Sequence, residues 1–123
     1  MESSPIVHVE IVSSDPKAAG KFYSDLFGWK IEVDESFNYV QFMVEPGPGG
    51  AFPAMDDQTG FKRPMVVPYV HSHDIDADLK KAESLGGTVQ VPKTEIPMTG
   101  WFALFADPTG NTIGLYTSAR EGG

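Results

Sequence analysis

The stretch IVHVEIVSSDPKAAGKFYSDLFGW, residues 6–29, decides the architecture because its periodicity changes part-way along. Ile6 to Val12 is short, β-branched and alternating. As a strand it puts Val7, Val9 and Ile11 on one face and His8 and Glu10 on the other. Ser14-Asp15-Pro16 then reads as a helix start, with Asp15 as N-cap and Pro16 at the first helical position, where its missing N–H is not needed. Ala19, Phe22, Tyr23, Leu26 and Phe27 recur at helical spacing and predict a buried stripe. Gly28 supplies the left-handed conformation that ends the helix.

Working outward, Trp29 to Val33 and Phe37 to Glu45 read as two more strands, the second alternating Tyr39, Gln41, Met43 against Val40, Phe42, Val44. The Pro-Gly-rich stretch at 46–50 is a turn, Ala51 to Met55 a short apolar segment, and 57–64 a polar linker. The pattern then restarts in MVVPYVHSHDIDADLKKAESLGG, residues 65–87. A shift of 59 residues sets Asp15 on Asp74, Lys21 on Lys80, Leu26 on Leu85 and Gly28 on Gly87. Ile75, Leu79 and Ala82 line the second helix, and strands follow at 88–91, 101–106 and 111–117. A Pro-bracketed loop at 92–100 stands as a candidate lid, and Asp107-Pro108-Thr109-Gly110 as a hairpin turn.

Each half is therefore a βαβββ unit, and the predicted class is α+β. The expectation is one domain over 1–123, with module one at 5–56, the linker at 57–64 and module two at 65–118. One face of each four-stranded sheet packs on its own helix. The other faces are free to curl into a partly open eight-stranded barrel around a cleft. His8 and Glu10 fall on the cleft side, as do Val67, Tyr69 and His71 by the repeat.

Composition narrows the function. Nine Lys and Arg against 17 Asp and Glu give a net charge of −8, which argues against a nucleic-acid surface. No apolar run approaches the roughly 20 residues of a membrane span. The residues from Met1 to Pro5 carry no secretory signature. A cytoplasmic protein is expected. Cysteine is absent, so thiolate metal sites, disulfides and Cys nucleophiles are excluded.

Phe22-Tyr23-Ser24-Asp25-Leu26-Phe27-Gly28-Trp29, Leu85-Gly86-Gly87 and Asp107-Pro108-Thr109-Gly110-Asn111, together with His8 and Asp15-Pro16, resemble the vicinal oxygen chelate superfamily over nearly the whole chain. That group includes glyoxalase I, bleomycin-resistance proteins and extradiol dioxygenases. The resemblance implies a divalent metal held by one ligand from the first and one from the last strand of each module. His8 matches the first of these. Its counterpart in module two falls at Val67, or at Pro68 if the strand slips by one. The last-strand position falls at Gly114, and 49–55 in module one offers no ligating side chain. The reading is therefore a small-molecule binder with no cofactor and no complete metal site.

The candidate ligand-binding residues are His8, Glu10, Tyr69, His71 and Tyr116. Glu10 could pair with His8 as acid and base or serve structure by bonding Tyr69. Trp101, Phe102, Phe105 and Tyr116 could stack on an aromatic ligand, although alternation turns only about half of them to the cleft. His71 and His73, in His-x-His before Asp74, read as strand end and helix entry, since His71 stands roughly 13 Å along the strand from Val67. The resemblance also implies a homodimer. Two other readings stay open: a glyoxalase-type lyase or isomerase with a rearranged metal site around His8, and a non-catalytic interaction module.

Overall fold

The computed structural model describes residues 2–36, 39–57 and 59–122. The fold is α+β, with eight strands in mixed pairing and three helices among those residues. The chain divides into two compact units, His8–Val67 and Met1–Val7 with Pro68–Gly123.

In the first unit the elements are β1 (Ile6–Ile11, whose first two residues belong to the other unit), α1 (Pro16–Phe27), β2 (Lys30–Asp34), β3 (Tyr39–Met43) and β4 (Gly50–Ala51). The strands lie in the order β2-β3-β4-β1, with β1 parallel to β4 and the other pairs antiparallel. Phe37 and Asn38, expected to open the third strand, lie outside the described residues. The helix forms where its caps dictate. The Asp15 carboxylate accepts the Ala18 N–H at 3.1 Å, Pro16 stands in the first turn, and Gly28 closes the helix at φ 74°.

The core of this unit is Val40, Phe42 and Phe52, with Val9, Ile11, Ala19, Tyr23, Trp29 and Ile31 packed around it. Tyr23, Trp29, Phe42 and Phe52 make a run of ring contacts with centroids 4.5–5.6 Å apart. The stripe predicted on α1 is not buried along its length. Phe22, Leu26 and Phe27 are 58–59% exposed. The helix instead meets the sheet at Pro16 and Gly20, where a Cβ on Gly20 would stand 3.2 Å from Ile31 and 3.3 Å from Val40. At roughly 100° per residue, Phe22 lies about 120–160° and Leu26 about 80–120° round the helix from Pro16 and Gly20. Phe27 lies near their line but is the last residue of the helix, stacked on Tyr23 and tilted against Trp29. Val7, assigned to the core face with Val9 and Ile11, is also exposed.

The second unit holds β5 (Val66–His71, from Pro68 onward), α2 (Ile75–Ser84), β6 (Thr88–Ile96), β7 (Gly100–Ala106), β8 (Thr112–Ser118) and α3 (Ala119–Gly122). Its order is β5-β8-β7-β6, again with one parallel pair, β5 with β8. Asp74 caps α2 as Asp15 caps α1, accepting the Ala77 N–H at 3.1 Å. Ile75, Leu79, Ala103 and Leu115 form the core, with Val70, Val89, Trp101 and Phe105 against it.

The loop expected at 92–100 is mostly strand. β6 runs on through Pro92 to Ile96, and only 97–99 turn. Two register irregularities, between Val89 and Val91 and between Val91 and Thr94, let an outermost strand carry a proline without breaking. The segment therefore offers no lid. The turn at 107–110 forms as expected, with the Asp107 carboxylate accepting the N–H groups of Thr109 and Asn111 at 3.0 and 2.9 Å. These bonds hold its pKa down to about 2. No helix among the described residues is long and apolar enough to cross a membrane.

Candidate functional site

In the first unit, β1 sends Val9 and Ile11 to the helix side, which leaves His8 and Glu10 on the opposite face. Both are half-buried, with His8 Nε2 3.6 Å from Glu10 Oε2. That separation suits an ion pair when the imidazole is protonated and is too long for a direct hydrogen bond. The register carries the same face across the sheet, since Glu10 pairs with Ala51 and Ala51 with Gln41. Tyr39 and Gln41 therefore share the face with Glu10. Burial first, and then the charge of Glu10, raise the Tyr39 phenol above its ordinary range, so it remains a hydrogen-bond donor at neutral pH. Sequence reasoning passed over Tyr39 and Gln41. The alternation of β3 already set them apart from Val40 and Phe42, but only the register shows that they join the face of Glu10.

In the second unit, Tyr69 pairs with Gly114 and His71 with Tyr116. Tyr69 is buried, and its ring lies over Gly114 so closely that a Cβ there would stand 2.4 Å from Cδ2. The Tyr116 hydroxyl donates to the Thr99 carbonyl at 3.2 Å. Of the four aromatic candidates, Trp101 and Phe105 pack in the α2 core, whereas Phe102 shares the face of Tyr116 and His71 by register.

His71 ends β5 and His73 stands just before the Asp74 cap, as their spacing implies. The structure adds a third residue. Glu121 Oε1 lies 2.5 Å from His71 Nε2 and Glu121 Oε2 lies 2.7 Å from His73 Nδ1. The two imidazoles meet edge to face, with centroids 4.6 Å apart. Their hydrogen bonds hold the Glu121 carboxyl below its usual pKa. No sequence signal ties Glu121 to the His-x-His pair, because the contact depends on β8 running parallel beside β5 and on the turn of α3 after it.

The profile of the Glyoxalase/Bleomycin resistance protein/Dioxygenase superfamily matches residues 5–115. The chain belongs to this superfamily. It is 28% identical over 128 residues to CFP32 of Mycobacterium tuberculosis, an alignment that takes in 92% of this chain and 45% of that protein. A glyoxylase-like domain-containing protein of Didymella fabae is 27% identical over 118 residues, spanning 89% of this chain and 90% of its own. The chain thus spans about half the length of the first of these relatives. Among solved structures, the methylmalonyl-CoA epimerase of Mycobacterium tuberculosis superposes with a TM-score of 0.69 at 17% identity, covering 97% of this chain and 93% of that one. At that identity the likeness speaks for the fold alone.

The residues do not fit the four-ligand metal site that the superfamily resemblance implies. Val67 is fully buried and apolar, and Gly114 has no side chain. The space a side chain at 114 would need is filled by the Tyr69 ring. Of the residues at the implied positions, His8 alone can donate to a metal.

Proposed function

We propose that this superfamily member binds a small organic molecule through the polar face of the first unit, without the four-ligand metal. Gly114 carries this reading, because the ring of Tyr69 over it replaces a ligand with an apolar surface. His8 and Glu10 supply the recognition. A carboxylate beside an imidazole, with the Tyr39 phenol on the same face, matches a ligand bearing hydroxyl or carbonyl groups. A relative from Streptomyces named as an anthracycline biosynthesis protein, 26% identical over 131 residues, supports an organic ligand. The chain works as a homodimer, for which the exposed Phe22, Leu26 and Phe27 on α1 provide an apolar surface.

The test is a thermal-shift screen of phenolic and carbonyl compounds, run with and without a chelator. The expected result is stabilisation that persists in the chelator and weakens in His8→Ala and Glu10→Gln. Stabilisation that needs an added divalent metal and His8 would overturn the reading in favour of a metal-dependent lyase or isomerase. Hits indifferent to both substitutions would move the ligand to another surface.

A further inference from the structure

We propose that His71, His73 and Glu121 form a binding site for a divalent transition-metal cation of the zinc class, separate from the site that the superfamily resemblance implies. The donor atoms of the three side chains lie within 4.8 Å of one another. Two imidazoles and one carboxylate are a donor set that suits zinc, with a remaining position for water. The position at Val67 and Gly114 uses none of these residues.

Each ligand is anchored by a different part of the fold. His71 is held at the end of β5, where its N–H donates to the Pro5 carbonyl at 2.9 Å and its strand pairs with β8. His73 is fixed one residue before the cap of α2. Glu121 sits on α3, which packs on β7 and β8 and is tied by the Ala119 N–H to the Thr99 carbonyl at 2.9 Å. The chain leaves β5 at His71 and bends at His73, and the two rings meet edge to face with centroids 4.6 Å apart.

The atoms are close to a bound arrangement. Bonds of about 2.0–2.1 Å to a tetrahedral ion put neighbouring ligand atoms roughly 3.3 Å apart. The present nitrogen–oxygen distances are 2.5 and 2.7 Å, so the carboxylate needs to retreat by less than about 1 Å to admit the ion. Binding replaces two imidazole–carboxylate hydrogen bonds with bonds to the metal and releases any proton held between them. His73 is 80% exposed at its side chain and Glu121 36%, which leaves a path for the ion and room for water at the fourth position.

Isothermal titration of the full chain with Zn²⁺ tests this, with Co²⁺ absorption reporting coordination. One equivalent is expected to bind. His73→Ala and Glu121→Gln should each weaken it by about 100-fold or more, since loss of an outer-shell partner alone costs up to that much. Both positions are on the surface, so the variants keep the fold. His8→Ala should bind Zn²⁺ as the parent does, while His73→Ala should still bind any organic ligand found through His8. The two sites thus fail independently. Absence of Zn²⁺ binding up to about 1 mM overturns the proposal. So does tight binding that survives both His73→Ala and Glu121→Gln, or that is lost in His8→Ala.

Discussion

Replacing Gly114 by Ala tests the claim that the Tyr69 ring occupies the space of a missing ligand. The new Cβ would stand 2.4, 2.5 and 2.7 Å from Cδ2, Cε2 and Cγ of Tyr69, where ordinary contact begins near 3.4 Å. Tyr69 is only 5% exposed, so the ring has little space into which to move. Forcing a methyl group into such packing costs about 1–3 kcal/mol. Gly114 lies in β8 with a backbone that any L residue can adopt, so the stiffer unfolded chain returns about 0.4–1 kcal/mol. The net expectation is a loss of about 1–2 kcal/mol in urea melts. Tyr69→Ala alone is destabilising too, but it removes all three of those atoms, so in the double variant the added methyl finds room. The two effects should fall short of additive by about 1 kcal/mol, within the range for residues in contact. A neutral or stabilising Gly114→Ala, or additivity within about 0.5 kcal/mol, would mean the ring is elsewhere.

His8→Ala should cost about 1 kcal/mol or less, because the imidazole is part-exposed and outside the core, whereas Val9→Ala should cost about 1–3 kcal/mol. Paired denaturant melts check this, and the reverse order would put the strand register off by one. The Asp107 carboxyl is depressed from 3.8 to about 2 in the folded chain, so its contribution to stability is complete above 3.8 and is lost as pH falls through about 2. The stability gap between the parent and Asp107→Ala should therefore close across that window; a gap undiminished below it would refute the turn bonds as its source. In light scattering at tens of micromolar, the parent should show twice 13.4 kDa and Leu26→Asp a single chain, because Leu26 lies on the exposed α1 surface. A parent that scatters as a monomer would end the dimer expectation.

The sequence by itself determined the elements and their repetition. Those depend on local chemistry, such as the Asp15 and Asp74 caps, the left-handed Gly28, the alternation of Val40 and Phe42 with Tyr39 and Gln41, and the Asp107 turn. It also showed that Val67 and Gly114 could not ligate a metal. Tertiary structure decided what depends on approach between distant segments. Helical spacing counted Phe22 and Leu26 as buried, but the close contact of Gly20 with Ile31 and Val40 turned the helix so that they face outward. Pro92 suggested a loop, and an outermost strand with irregular register absorbed it. The meeting of Glu121 with His71 and His73, 48–50 residues earlier, required β8 to run parallel beside β5 and α3 to fold back after it. Periodicity records which face a residue shares with its near neighbours. Partners far along the chain are set by strand order and register, and no local pattern encodes them.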